Sequence, residues 1–193
     1  MVSPGHGLRH GLRPAVFLDR DGVIVIPEFR DRRSFAPRRV ADFRLYPEAA
    51  ASLQRLKRAG FLLAVVTNQP DVGHGLIPRS EVDAMHAIMT RELPLDAVKA
   101  CYHRQADPCD CRKPKPGMLL AAADELGIDL AKSFMVGDRD SDVAAGRAAG
   151  CTTVFIDLGY AEPPPDTPDH IVRSIAEAAD LIIETSLTVQ EAP

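Results

Sequence analysis

The stretch VFLDRDGV, residues 16–23, joins an apolar run to two carboxylates and a glycine. The apolar run, which begins at Ala15, predicts a buried strand, and open α/β sheets keep their ligands at the carboxyl ends of such strands. Gly22 allows the chain to turn away without a steric penalty from a Cβ atom. The stretch therefore predicts a strand end that carries chemistry, with Asp19 and Asp21 as candidate catalytic groups.

Length and charge limit the classes of protein that this chain fits. Its 193 residues suit one domain, which we place at 15–185 between a flexible leader (1–14) and a flexible tail (186–193). The formal net charge of -4 disfavours nucleic acid and anionic lipid as partners. The apolar run at 61–66 is far shorter than the roughly 20 residues that span a bilayer. We expect neither a nucleic-acid partner nor a membrane partner.

Apolar runs and helical patterns alternate in the order βαβαβαβαβ, which is typical of a parallel sheet with crossover helices. Predicted strands lie near residues 15–18, 61–66, 97–102, 133–136, 152–156 and 170–172. Predicted helices lie near residues 47–58, 79–93, 116–126, 140–149 and 174–184. We expect loops at 27–39 and 70–78. The pattern predicts an α/β fold with helices on both faces of the sheet.

Polar side chains follow four of the predicted strands. They are Asp19 and Asp21, then Thr67 and Asn68, then Arg112 and Lys113, then Asp138 and Asp142. The carboxyl ends of parallel strands meet at one edge of a sheet, where ligands bind. We therefore expect these groups to converge on one crevice.

Four short motifs in this order resemble those of the haloacid dehalogenase superfamily of phosphohydrolases. The motifs are DRDG at 19–22, TNQ at 67–69, Lys113, and GDRDSD at 137–142. The resemblance implies a three-layer, Rossmann-like phosphohydrolase domain with a parallel sheet. The gaps between the first three motifs are under fifty residues and already hold core elements, so we expect a capless member.

The resemblance also implies roles for the carboxylates and the lysine. Asp19 would attack phosphorus to form an aspartyl-phosphate, and Asp21 would protonate the leaving oxygen and later deprotonate water. Lys113 would offset charge on the transferring group. Mg²⁺ would bind the carboxylates of Asp19 and Asp138 and the backbone carbonyl of Asp21, with Asp142 supporting the ligands.

Substrate contacts are expected from the remaining polar groups of the motifs. By resemblance, Thr67 and Asn68 would hold phosphate oxygens, while Arg112 and Arg139 would reach the substrate. Asp140 is the exception within its motif, since we expect it at the surface where a helix begins.

Three cysteines and one histidine lie within eleven residues, at Cys101, His103, Cys109 and Cys111. This is the Cys₃His set of a closed tetrahedral zinc site, in which all four ligands come from the protein. We predict a structural Zn²⁺ that braces the loop carrying Arg112 and Lys113. The clustering suits a metal better than disulfides, which indicates the reducing cytosol.

The order Cys-x-His, Cys-x-Cys-Arg-Lys-Pro, residues 101–114, is similar to that of D-glycero-D-manno-heptose 1,7-bisphosphate 7-phosphatases and of histidinol-phosphate phosphatases. The resemblance implies removal of the 7-phosphate of the heptose bisphosphate, and we expect the protein to be a cytosolic monomer. The alternatives are histidinol phosphate or another small phosphoester as substrate. A different class of function, a non-catalytic zinc-stabilised binding module, would not need the intact Asp19, Asp21, Lys113 and Asp138.

Two segments depart from the heptose enzymes. Residues 70–75, PDVGHG, stand where those enzymes commonly have Ser-Gly and a basic residue, and Arg139 replaces a frequent lysine. The loop after the first motif carries arginines at 30, 32, 33, 38 and 39. These arginines either receive the second phosphate of a sugar bisphosphate or form a solvated face.

Overall fold

The computed structural model describes residues 11–30, 33–161 and 163–190. Most of the predicted leader (1–10), the predicted substrate-loop residue Arg32 and the end of the predicted tail (191–193) lie outside the described residues.

Two sheets form in the described part of the chain. The strands are β1 (Ala15–Leu18), β2 (Glu28–Arg30), β3 (Arg33–Phe35), β4 (Leu62–Asn68), β5 (Ala97–Cys101), β6 (Phe134–Gly137), β7 (Thr152–Ile156) and β8 (His170–Val172). A six-stranded sheet has the order β5-β4-β1-β6-β7-β8, and all its pairings are parallel. Strands β2 and β3 pair antiparallel as a separate hairpin. The predicted parallel sheet is confirmed.

Six α-helices accompany the sheets in the described residues. They are α1 (Ala49–Arg58), α2 (Pro70–Gly73), α3 (Arg79–Glu92), α4 (Gly117–Leu126), α5 (Asp140–Ala149) and α6 (Ile175–Gln190). Central strand β1 alternates between two cores, because Val16 and Leu18 pack in one and Ala15 and Phe17 in the other. Both faces of the sheet are therefore buried, as a three-layer α/β fold requires.

The register of the central strands brings the motifs to one edge. Leu18, the last residue of β1, lies beside Val65 on β4 and Val136 on β6. The backbone N–H of Asp19 then donates to the carbonyl of Val136 at 2.9 Å. Asp19 therefore leaves the sheet at its centre, next to the strand that leads to Asp138.

Two segments that we expected to be loops contain short elements. The segment 27–39 holds the β2–β3 hairpin, and the segment 70–78 begins with α2. Their runs of three or four residues are too short for a periodic pattern to show. The last helix also continues to Gln190, beyond the predicted end near 184. Its predicted start is confirmed, since the N–H of Glu177 donates to Ser174 Oγ at 3.1 Å.

The sequence predicts that no apolar segment is long enough to span a membrane. Among residues 11–30, 33–161 and 163–190, no helix has the length and apolar character needed to cross a membrane.

Candidate active site

Asp19, Lys113 and Asp142 form a buried charge cluster at the centre of the sheet edge. Lys113 Nζ lies 2.7 Å from Asp19 Oδ1 and 2.6 Å from Asp142 Oδ1, and the lysine side chain is only 2% exposed. Burial alone would lower the pKa of Lys113, but the charges of Asp142 and Asp19 outweigh it and raise that pKa. Lys113 is therefore a fixed cation beside the predicted nucleophile.

Both carboxylate oxygens of Asp142 have partners within the protein. Oδ1 contacts Lys113, and Oδ2 accepts a hydrogen bond from the backbone N–H of Arg139 at 3.1 Å. A Cβ atom on Gly137 would lie 2.1 Å from the Cβ of Asp142, so this close approach requires the glycine. The arrangement favours Asp142 as a support for Lys113 and for the start of α5.

Asp138 lies at the end of β6 with one satisfied and one unsatisfied oxygen. Its Oδ2 accepts a hydrogen bond from the Tyr160 hydroxyl at 2.5 Å. Its buried Oδ1 has no hydrogen-bond partner among the described residues. Burial and the nearby charge of Asp19 raise the pKa of Asp138 well above its ordinary value. An unpaired buried carboxylate oxygen is costly, so this atom is placed to meet a cation.

Asp21 is held by Arg20 and Gln69. The Arg20 Nε lies 3.1 Å from both Asp21 oxygens, and Gln69 Nε2 donates to Oδ2 at 2.9 Å. The Arg20 side chain is fully buried, and its Nη1 lies 3.2 Å from His86 Nε2 on α3. Burial and the Arg20 charge lower the pKa of His86 to about 4, so the ring is neutral and can accept from Arg20.

The raised pKa of Asp21 suits a proton donor. Burial raises its pKa above the ordinary value, although Arg20 opposes that effect. A carboxyl group whose pKa is moved toward neutral pH is better able to release a proton to a leaving group.

The side chains of Thr67 and Asn68 have different hydrogen-bond partners. The Asn68 side chain donates to the carbonyl of Lys113 and accepts from its N–H, both at 3.1 Å. Its amide therefore clamps the Lys113 backbone to β4. Thr67 Oγ1 accepts a hydrogen bond from Gln69 at 3.0 Å, which leaves its own hydroxyl hydrogen available. Of the two predicted phosphate ligands, Thr67 therefore keeps a free donor but is only 1% exposed, whereas Asn68 lines the crevice with its amide already bound.

A crevice of about 410 Å³ contains most of the predicted groups, but Asp138 lines an adjoining cavity instead, and Thr67 is buried and does not line the crevice. Its lining includes Asp19, Asp21, Asn68, Arg112, Lys113, Arg139 and Asp142. Arg139 donates from Nη2 to the carbonyl and hydroxyl oxygens of Ser34 on β3, at 3.0 and 2.6 Å. The hairpin is thereby attached to the crevice wall.

The unusual PDVGHG segment also lines the crevice. Asp71 in α2 accepts from Arg38 Nε at 2.7 Å, which joins the loop after β3 to the loop after β4. The Arg38 side chain stays 43% exposed within this pair. Among the described residues of the 30–39 run, Arg38 is the arginine that lines the crevice.

The four predicted zinc ligands lie together after β5. His103 Nδ1 is 3.5 Å from Cys101 Sγ and 3.3 Å from Cys111 Sγ, and Cys101 Sγ is 3.9 Å from Cys109 Sγ. All four donor atoms lie within 4.8 Å of one another. Tetrahedral ligands at about 2.3 Å for sulfur and 2.0 Å for nitrogen would be separated by roughly 3.5–3.8 Å. The donor set fits a closed four-coordinate metal site.

Comparison with known proteins agrees with this geometry. Residues 110–178 match the HAD-hydrolase-like family model. The chain is 34% identical over 185 residues to the D-glycero-beta-D-manno-heptose-1,7-bisphosphate 7-phosphatase of Pasteurella multocida, covering 89% of this chain and 97% of the relative. The corresponding protein of Escherichia coli K12 is 33% identical over 184 residues, covering 88% and 93%. The chain belongs to the haloacid dehalogenase superfamily.

A solved structure extends the likeness. D,D-heptose 1,7-bisphosphate phosphatase from B. bronchiseptica, complexed with magnesium and phosphate, is similar with a TM-score of 0.76 and 27% identity. The alignment covers 89% of this chain and 99% of that one. Within the superfamily, the chain is a phosphoric monoester hydrolase of the heptose bisphosphate phosphatase group.

The carboxylates of this haloacid dehalogenase-type phosphatase fit a divalent cation. Oxygen atoms of Asp19, Asp138 and Asp142 lie within 4.8 Å of one another. Asp138 Oδ1 is buried and unpaired, whereas both Asp142 oxygens already have protein donors. Hard oxygen ligands of this kind suit Mg²⁺. Asp19 and Asp138 are thus the side chains best placed to hold an ion, with Asp142 behind them.

Three contacts of the phosphatase site were not predicted from sequence. Gln69 belongs to a quoted motif, but no role was assigned to it. His86 belongs to none of the four motifs, and its ring meets Arg20. Tyr160 lies in a segment without a recognisable motif, and its hydroxyl meets Asp138. Each of these contacts joins elements far apart in sequence, so no local pattern could reveal it.

Proposed function

We propose that this chain removes the 7-phosphate of D-glycero-D-manno-heptose 1,7-bisphosphate through an aspartyl-phosphate on Asp19, as a cytosolic monomer. The observation that carries the proposal is the position of Asp19, at the end of the central strand and 2.7 Å from the Lys113 ammonium. The substrate is inferred from the names of relatives that align with nearly the whole chain. The arginines of the crevice supply charge for a second phosphate.

In the first half-reaction, an Asp19 carboxylate oxygen attacks phosphorus, and the bond from phosphorus to the sugar oxygen breaks. Asp21, which Arg20 and Gln69 hold in place, gives its proton to that oxygen. Lys113 stays protonated and offsets negative charge on the transferring group. The products of this step are the dephosphorylated sugar position and phosphorylated Asp19.

In the second half-reaction, Asp21 as carboxylate takes a proton from water while the water oxygen attacks phosphorus. The bond from Asp19 to phosphorus breaks, inorganic phosphate leaves, and both carboxyl groups return to their starting states. Thr67 would donate its hydroxyl hydrogen to a phosphate oxygen in both steps.

We propose Mg²⁺ and Zn²⁺ as the two metals of the protein. Mg²⁺ would be held by Asp19, Asp138 and the Asp21 carbonyl, and it supplies charge neutralisation between carboxylates and phosphate. Zn²⁺ would be held by Cys101, His103, Cys109 and Cys111, which leaves no position for water and therefore indicates a structural role.

A phosphate-release screen tests the substrate assignment. The panel contains the heptose 1,7-bisphosphate, its 7-monophosphate, histidinol phosphate and nucleotides, each with Mg²⁺ present. We expect the bisphosphate to give the highest kcat/KM, about tenfold above the 7-monophosphate, because the crevice arginines meet its second phosphate. Phosphorus NMR of the product should show the 1-phosphate retained.

Other outcomes of the screen separate the alternatives. A higher kcat/KM for histidinol phosphate would replace the substrate while leaving the chemistry unchanged. No release from any phosphoester, by folded protein that retains its metal, would instead support a non-catalytic binding module.

Replacement of Cys109 by serine tests the zinc site. Serine is a poor zinc ligand, so we expect Cys109→Ser to lower the zinc content from one equivalent per chain to well below it. Since metal binding contributes folding free energy, the thermal midpoint should fall by roughly 5 °C or more. Zinc would be measured by mass spectrometry and the midpoint by calorimetry.

Cys151→Ala is the matched control for a lost thiol. Cys151 is 7% exposed and packs in the core with Ala145 and Ala149. This variant should lower stability without changing the zinc content. Equal zinc content in Cys109→Ser and the unmodified protein would rule out the proposed ligand set.

A further inference from the structure

Tyr160 lies on the loop after β7 and lines a cavity that adjoins the crevice of Asp19. Its hydroxyl donates to Asp138 Oδ2 at 2.5 Å. The ring lines a second cavity of about 780 Å³, which shares Arg139 and Ser141 with the crevice that contains Asp19. Tyr160 therefore reaches Asp138 from the side of this second cavity.

The ring of Tyr160 is held independently of Asp138. Its centroid lies 5.8 Å from that of Phe29 on β2, and the Arg139 guanidinium carbon lies 5.7 Å from the ring centroid. Aromatic pairs and cation–π contacts at these distances fix the ring. The hydroxyl is thus a donor whose position is set before any ion binds.

Gly22 of the first motif packs directly against this hydrogen bond. A Cβ atom on Gly22 would lie 2.1 Å from Asp138 Oδ2 and 2.9 Å from the Tyr160 hydroxyl oxygen. The backbone φ of Gly22 is 89°, which also favours glycine. The carboxylate of Asp138 is therefore enclosed on its Oδ2 side by the hydroxyl and by the turn that follows Asp21.

We propose that Tyr160 is a positioning residue that raises the affinity of Asp138 for the divalent cation. By occupying Oδ2, the hydroxyl fixes the rotation of the carboxylate and directs the unpaired Oδ1 toward the ion. This inference rests on the proposed role of Asp138 as a metal ligand. Hydrogen bonds from outside the ligand set orient metal ligands in this way, and their loss commonly weakens binding about 10- to 100-fold.

Direct Mn²⁺ binding to Tyr160→Phe tests the inference. The phenylalanine keeps the ring contacts and removes only the hydroxyl. Binding would be followed by the electron paramagnetic resonance signal of free Mn²⁺, with one equivalent of Zn²⁺ present to fill the cysteine site. We expect the Mn²⁺ Kd to rise about tenfold or more, with kcat at saturating metal nearly unchanged.

Three further variants distinguish a failure of the inference about Tyr160 from a failure of the metal role proposed for Asp138. Tyr102→Phe, whose hydroxyl lies 3.3 Å from Asp83, should bind Mn²⁺ like the unmodified protein. Phe29→Leu, which retains the Tyr160 hydroxyl but removes ring support, should give an intermediate Kd. Asp138→Asn should abolish binding, and if it does not, the proposed metal role of Asp138 fails. If Asp138→Asn abolishes binding while Tyr160→Phe and Phe29→Leu bind normally, the inference about Tyr160 is wrong.

Discussion

We expect Asp19→Asn to abolish phosphate release, with turnover lowered about 10⁴-fold or more, as when the nucleophile is removed from other hydrolases. The neutral amide has no carboxylate oxygen to attack phosphorus, so no covalent intermediate forms. The measurement is release of inorganic phosphate from the best substrate of the screen, at saturating Mg²⁺ and with enzyme in high concentration.

The same substitution should leave the fold intact. Asparagine has nearly the shape of aspartate, and its side-chain oxygen can still accept the hydrogen bond from Lys113 that Asp19 accepts at 2.7 Å. The charge of Asp19, after burial, is a main cause of the raised pKa of Asp138, so its removal relieves a repulsion. The thermal midpoint should be unchanged or higher, and the zinc content should be unchanged.

Asp140→Asn provides a matched control, since it makes the same chemical change at an aspartate of another motif of the site. Asp140 is exposed at the start of α5 and lines the second cavity rather than the Asp19 crevice. The Asp140→Asn protein should retain the turnover of the unmodified protein. Asp19→Asn protein that keeps a tenth of normal turnover would assign the nucleophile to another group.

The main sheet could be predicted because its strands are continuous apolar runs. Residues 62–66 are buried without interruption, so the run itself identifies the strand. The β2–β3 hairpin could not be predicted in this way. It has three residues in each strand and exposes Phe29 and Phe35, and its Ser34 meets Arg139, more than a hundred positions later. Contacts over such distances leave no local pattern.

The candidate site shows the same division. Asp19 and Asp138 follow strands of a parallel sheet, so their meeting follows from topology. The partner that each polar group binds does not follow from topology. Asn68 was predicted as a phosphate ligand, yet both halves of its amide are bound to the Lys113 backbone. Tyr160 and His86 act on motif residues from other elements, and only the folded arrangement reveals them.

Lys113→Met should be the most destabilising of the substitutions considered. Lys113 is the ammonium group shared by Asp19 and Asp142, and its side chain is 2% exposed. Methionine fills a similar volume but leaves two buried carboxylates without their cation. Breaking a buried ion pair in this way costs about 3–5 kcal/mol in the free energy of unfolding. Lys132→Met, at a lysine that is 72% exposed and 3.5 Å from Asp129, should cost less than about 1 kcal/mol.

The pH dependence of the Lys113→Met deficit identifies its cause. Burial raises the pKa of Asp142 to about 6 even with Lys113 opposing it, so removal of the lysine should raise it further. A buried carboxyl group with a raised pKa binds a proton that the unfolded chain releases. The variant therefore gains stability relative to the unmodified protein as the pH falls from its own higher Asp142 pKa toward 6, where Asp142 of the unmodified protein also begins to bind a proton. Urea unfolding at pH 7.5 and 5.5 should therefore show a smaller deficit at the lower pH.

Turnover of Lys113→Met should fall as well, by about 10²- to 10³-fold, because a donor to the transferring phosphoryl group is lost. The assay is phosphate release at 15 °C, where the destabilised protein stays folded, with Lys132→Met as the comparison. A Lys113→Met protein with normal turnover would remove Lys113 from the catalytic groups. A deficit in unfolding free energy that is equal at both pH values would show that lost packing, and not unpaired carboxylates, causes the instability.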